Sequence, residues 1–230
     1  MEDIVIVAKK RAERFHVRNV VVATNTGASA RHVREVFGPN YQIFAVGNPR
    51  SAAERGLVYH AGVDEETRRS LEGQGIKVIL LDQGFFQSAA IGGQPYDLGE
   101  EVPAEIWQGS HKVLPEDQIV GKTLSEIVKK ALEGRINALT IIGHTIQSLL
   151  GDGPAVCIEV TVMAADSGFL PLDEDCVAIA RLKNVHTPHA MLVLHPAKAR
   201  DFFNIRVKDL VIVPQEEDHW FKDKPLWPDD

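Results

Sequence analysis

The feature that most constrains this chain is a set of short apolar runs without strand-type alternation. Val20-Val21-Val22 is β-branched throughout, and Ile76 to Leu81 reads IKVILL between a glycine and an aspartate. A strand with one wet face alternates apolar and polar residues, whereas a strand buried on both faces reads as a continuous apolar run. The runs therefore predict a sheet covered by helices on both sides. Helical patterns separate them. Asp3 is placed to cap a helix with Ile4, Ala8, Ala12 and Phe15 on one face. Val33, Val36 and Phe37 recur at helical spacing after the first strand, and YQIFAV (Tyr41 to Val46) is a second strand after the Gly38-Pro39-Asn40 turn. Asp64 opens a further helix with Glu65 and Glu66 in its first turn and Gly73 and Gly75 at its end. Strand and helix alternate, which predicts a parallel sheet with right-handed crossovers.

Between the first strand and its helix lies Thr24-Asn25-Thr26-Gly27-Ala28-Ser29-Ala30. The first amides of a helix have no partner within it, and the macrodipole adds partial positive charge there. Hydroxyls at Thr24, Thr26 and Ser29, and a glycine at 27 that lets backbone approach a ligand, make this stretch a candidate phosphate cradle. Turn and cap residues of any strand-to-helix loop give the same composition. The stretch matches neither GxxxxGK[ST] nor GxGxxG. If the strands are parallel, Gly47 and Asn48 after the second strand lie at the same edge and are second candidates, with a plain turn as the alternative.

The second half is less regular. Positions 84–118 are rich in glycine and proline, with Trp107 placed to anchor them, and read as an irregular insertion that is either a lid or a packed element. Thr123-x-x-Glu126 is a capping box before an apolar helical pattern, and Asn137 caps another that contains His144. Pro154 to Gly168 fits either a strand, from its β-branched residues, or a buried helix, from its early proline and terminal glycine. Cys176 to Ala180 and Ala190 to His195 read as two strands, and Asp209 to Pro214 as a short one. The stretch RLKNVHTPH between the former pair brings Arg181 and Lys183 as cations for an anionic ligand, or a solvated hairpin tip. His186, His189 and His195 stand without an acidic or cysteine partner beside them, so no metal site is expected. No nucleophile–base pair stands out; Glu159, Asp166 and His144 are polar groups without an assigned role, and the catalytic residues stay unknown.

The 230 residues carry 25 Lys+Arg against 32 Asp+Glu, a net charge of -7, which disfavours nucleic acid or an anionic membrane as partner. No apolar run reaches membrane length, and MEDIVIVAKK does not read as a signal peptide. Cys157 and Cys176 lie in apolar runs without zinc spacing, as buried thiols of a cytoplasmic protein do. One domain over 1–214 and a C-terminal arm over 215–230 are expected. The arm's Trp220, Phe221 and Trp227 are suited to packing on the domain or on a second subunit, so a homodimer is expected.

VVVATNTGASARHV resembles the first strand and loop of the pyruvate kinase C-terminal α/β domain, whose Thr-x-Ser/Thr-Gly-x-Ser loop binds the phosphate of an allosteric sugar bisphosphate. KKRAERFHVRNVVVATNTGASA, HAGVDEETRRSLEGQGIKV, SLLGDGPAVCIEVTVMAADSGFLPLDEDCVAIA and FFNIRVKDLVIVPQ are similar to a family of small stand-alone prokaryotic proteins with that fold, largely without assigned function. The resemblance implies a three-layer fold of pyruvate kinase C-terminal domain type. Its mostly parallel sheet would have about five strands, helices on both faces and an antiparallel C-terminal edge. It does not imply pyruvate kinase activity, whose barrel domain has no counterpart here. Members of the stand-alone family are associated with flavin mononucleotide (FMN), whose phosphate would suit Thr24 to Ala30. Two departures stand out: RLKNVHTPH replaces a Gly-rich loop containing Thr and Asp, and the 84–118 region is longer than expected. Three functions follow: binding of a phosphorylated small molecule, a flavin-dependent oxidoreductase, or a regulatory or structural orphan of the fold that has lost its ligand.

Overall fold

The computed structural model describes residues 3–48, 62–81, 149–180 and 190–212, and four residues (142, 143, 145 and 146) of a preceding helical stretch. Each apolar run becomes a strand: β1 (Asn19–Ala23), β2 (Gln42–Val46), β3 (Ile76–Ile79), β4 (Cys176–Ala180), β5 (Ala190–His195) and β6 (Arg206–Ile212). They form one six-stranded sheet in the order β3-β2-β1-β4-β5-β6. The first four are parallel, whereas β5 runs antiparallel to both β4 and β6. The protein is thus α/β with a mixed sheet and an antiparallel edge.

The unbroken apolar runs have the predicted cause. On β1, Val20 and Val22 face a cluster that holds Ile4, Ala8, Val33 and Leu71, while Val21 between them faces Cys157, Ile158 and Val162. The first group comes from α1 (Ile4–Arg14), α2 (Ala28–Phe37) and α3 (Glu65–Gly73); the second comes from α4 (Asp152–Asp166). Helices therefore cover both faces, and either face of β1 excludes water. At about 25 cal/mol per Å² of apolar area, burying each such valine stabilises by about 1.5–3 kcal/mol.

Two sequence expectations need adjustment. The resemblance implies about five strands, whereas the sheet has the six that the residue patterns give, and the exposed edge strand β6 begins at Arg206 instead of Asp209. Its charged residues Arg206 and Lys208 hide its start from a hydrophobicity pattern. The ambiguous stretch from Pro154 to Gly168 is helical: Pro154 falls in the first turn of α4, and Gly168, at φ 78°, follows its end. Burial of Cys157, Ile158, Val160 and Val162 against the sheet overrides their strand propensity. Gly151, at φ 86°, stands between the helical residues 149–150 and the start of α4. The 84–118 insertion, the helix expected after Thr123 and the 215–230 arm lie outside the described residues, whereas residues 142, 143, 145, 146, 149 and 150 of the helix expected after Asn137 are helical. Among the described residues, no helix is long and apolar enough to cross a membrane.

Candidate functional site

From β1 the chain steps outward to β2 and β3, then returns to place β4 on the other side of β1. That reversal of strand order opens a crevice beyond the carboxyl ends of β1 and β4, where open α/β sheets bind ligands. Thr24 is the first residue beyond β1. Its amide donates to the Val46 carbonyl at 2.9 Å, so Gly47 and Asn48 start beside it, as the parallel reading requires.

The strand-to-helix turn is short. Gly27 caps α2 with φ 77°, in the left-handed region. The first intrahelical bond runs from the Arg31 amide to the Gly27 carbonyl at 3.0 Å. Ala28, Ser29 and Ala30 precede it, and their amides meet no acceptor among the described residues. Neighbouring helices solve the same problem with their own carboxylates. Asp3 accepts from the Val5 amide at the start of α1 at 2.9 Å, and Asp64 accepts from the Thr67 amide at the start of α3 at 2.7 Å. The Thr67 backbone bond, then its hydroxyl, holds the Asp64 carboxyl below its ordinary range. The start of α2 has neither a side-chain cap nor an acidic residue in its first turn.

Two further groups stand at this turn. The Thr24 side chain is 6% exposed, and its Oγ1 is buried without a hydrogen-bond partner among the described residues. Strand alternation puts it on the α2 side, two residues beyond Val22. A buried hydroxyl without a partner costs about 1–3 kcal/mol; Asn19 Oδ1 and Arg34 Nε are buried in the same state elsewhere among the described residues. Arg31 is the second. Helical side chains lean toward the N-terminus, and its Nη1 reaches the Thr26 carbonyl at 3.4 Å. Among the described residues no carboxylate pairs with it, whereas on α3 Arg68 pairs with Glu72 and Arg69 with Glu65, both at 3.0 Å. A cation in a first helical turn opposes the macrodipole, and an anion at the turn reverses that sign. Among the described residues, amides, hydroxyls and one guanidinium gather at this turn, an arrangement that can hold an oxyanion.

Gly27 also packs closely against α3. A Cβ there would lie 2.6 Å from Thr67 Cγ2, 3.3 Å from Arg31 Nη1 and 3.4 Å from Leu71 Cδ1. The glycine makes room for α3 and supplies the left-handed φ. Gly47 is similar, since a Cβ there would meet the Gly62 Cα at 2.6 Å. Of the candidates, Thr24, Asn25, Thr26, Gly27, Ala28, Ser29, Ala30, Gly47 and Asn48 share this edge. Ser29 and Ala30 are buried, while Thr26 and Ala28 are exposed. Arg181, Lys183 and His144 lie outside the described residues, although β4 ends at Ala180, one residue past the Val22–Ile179 pair. Arg31 was missed; its signal was a basic residue at the fourth position after a glycine that begins a helix.

The other polar groups are accounted for structurally. Asp166 accepts from the Ala199 amide at 3.1 Å and so caps the 3₁₀ turn Ala199–Asn204. The half-buried Glu159 is engaged with another group. At the opposite edge, Asp175 bonds His195 at 3.1 Å and also pairs with Lys208, tying β4, β5 and β6 together. A depression of about 320 Å³ there includes Arg34, Tyr41, Gly75 and Lys77. Its Arg34 is committed to the carbonyls of Gly38, Tyr41 and Gly75, which leaves it poorly suited to a ligand. Burial pushes both thiols upward, Cys176 to about 12, so neither is a nucleophile at neutral pH. No group of His, Cys, Asp and Glu among the described residues could hold a metal ion. No family model matches the sequence.

Proposed function

We propose that this protein binds a phosphorylated small molecule at the strand-to-helix turn Thr24 to Ala30, with FMN the first candidate. The observation that carries the reading is the buried Thr24 Oγ1, without a partner among the described residues, in the same turn as three amides that meet no acceptor there. In the bound state the amides of Ala28, Ser29 and Ala30 hold the phosphate oxygens, and Thr24 Oγ1 donates to one of them. Ser29 and Thr26 are within the same turn, and Gly47 and Asn48 border it. The phosphate half of FMN fits this donor set; the flavin itself enters only through the family resemblance. When bound, a flavin supplies electron-transfer chemistry, while the protein supplies position and electrostatics. A sugar phosphate or a nucleotide would use the same turn.

The test is an absorbance spectrum of the purified protein, with thermal unfolding measured beside FMN and beside riboflavin. Flavin bands, or a rise in melting temperature with FMN and none with riboflavin, support the reading. A colourless protein indifferent to both removes the flavin, and sugar phosphates and nucleotides are then screened against the same turn. One observation favours the alternative of an orphan domain without ligand: packing against Thr67 is sufficient reason for Gly27. Under that alternative no phosphate compound shifts the melting temperature.

A further inference from the structure

We infer that Arg31 sets the charge selectivity of this turn, so that it takes the dianionic end of a phosphomonoester in preference to a singly charged phosphodiester. The inference rests on the phosphate reading of the loop and goes beyond it, since backbone amides and hydroxyls alone accept either anion. Three observations lead to it. The start of α2 carries no acidic residue to neutralise its amides, and Oγ1 of Thr24, a residue 6% exposed, is buried without a partner among the described residues. The Arg31 guanidinium folds back over the turn to within 3.4 Å of the Thr26 carbonyl. It has no acidic partner among the described residues, while Arg68 and Arg69 on the adjacent α3 are committed to Glu72 and Glu65. His32, the next residue of α2, is bonded to Asp3. Among the described residues of α2 and α3, Arg31 is thus the cation at this edge with donors left over.

A guanidinium meets two phosphate oxygens through a planar fork, and the bonds strengthen with the charge on those oxygens. A monoester above its second pKa of about 6 carries close to two charges. A diester carries one and loses an oxygen to the second ester. Arg31 therefore adds more to a monoester than to a diester, and the difference is the selectivity.

The probes are methyl phosphate and dimethyl phosphate at pH 8, titrated into the intact chain while the amide resonances of Ala28, Ser29 and Ala30 are followed. Wild type should bind methyl phosphate at least about tenfold more tightly. Arg31→Gln, at an exposed position, should keep its melting temperature and lose about tenfold in affinity for methyl phosphate. Its affinity for dimethyl phosphate should change less than about twofold. If wild type binds both probes equally, or the variant weakens both alike or neither, Arg31 does not select charge, although the turn still binds phosphate. If neither probe moves those resonances in wild type, the phosphate reading itself fails, and this inference with it.

Discussion

Gly27→Ala offers a quantitative check on how the candidate turn is built. The backbone there has φ 77°, and an L-residue in that region costs about 1–2 kcal/mol. The new methyl would sit 2.6 Å from Thr67 Cγ2. Thr67 is β-branched and stiff at χ1, and its amide is held by Asp64 at 2.7 Å, so it cannot swing aside cheaply. Overpacking of this kind costs about 1–3 kcal/mol. The two contributions predict a loss of about 2–5 kcal/mol, a large share of the roughly 5–15 kcal/mol typical of a domain. Urea unfolding at constant m-value measures it. Thr67→Ser removes the clashing methyl and keeps the hydroxyl. In the double variant, the overpacking share should return and about 1–2 kcal/mol of backbone strain should remain. Additivity of the two substitutions within about 0.5 kcal/mol would refute the contact, and a neutral or stabilising Gly27→Ala would refute both contributions. The same reasoning makes Gly27 a poor probe of ligand binding, because its substitutions report on α3 packing first.

Thr24→Val replaces an unpartnered buried hydroxyl with a methyl of similar size; the free protein should gain about 1 kcal/mol while affinity for methyl phosphate falls, and a loss of stability on urea unfolding would mean that the hydroxyl is already satisfied. Arg34→Ala removes bonds to the carbonyls of Gly38 at 2.6 Å, Tyr41 at 3.2 Å and Gly75 at 3.0 Å, so unfolding should become easier by about 1–3 kcal/mol, with phosphate binding at the far edge unchanged. Burial raises the thiols of Cys157 and Cys176, so they stay protonated in the folded chain after unfolded thiols ionise near pH 8.5. Their contribution is full below that pH and is lost as pH rises toward 12, by about 1.4 kcal/mol per pH unit for each thiol. Urea midpoints at pH 8 and pH 10 should diverge more in wild type than in a Cys157→Ala/Cys176→Ala variant, and equal divergence would count against this assignment.

What was legible in the sequence follows from where the physics is local. Asp3 and Asp64 announced α1 and α3 because a cap bonds its own helix within three residues. Val20 to Val22 announced a doubly covered strand because both faces find apolar partners, and the two strands Cys176–Ala180 and Ala190–His195 matched to the residue. Pro154 to Gly168 stayed ambiguous because a helix buried this deeply loses its polar stripe, leaving composition unable to distinguish it from a strand. At the site, the free amides were legible because they follow from any strand-to-helix turn. The meaning of Gly27 was not, since it depends on Thr67, forty residues away in the chain. Arg31 escaped notice because its importance lies in the carboxylate it lacks, and an absent partner leaves no pattern.

Among the described residues, one turn breaks three local rules: a helix starts without a capping side chain, a hydroxyl is buried without a partner, and an arginine sits in a first turn without an acid. Conflicts between sequence and fold concentrate where function demands them. Each of these three makes the free protein less stable than it need be, and under the proposed reading an oxyanion would relieve all of them together by accepting from the amides, from Thr24 and from Arg31. The stabilisation by ligand should therefore be cooperative among these groups. With Thr24→Val and Arg31→Gln combined, the loss in affinity for methyl phosphate should differ from the sum of the single losses by more than about 0.5 kcal/mol, as expected of groups that share one ligand. Strict additivity in that cycle would mean that Thr24 and Arg31 act on different anions, and the single-site reading of the turn would have to be abandoned.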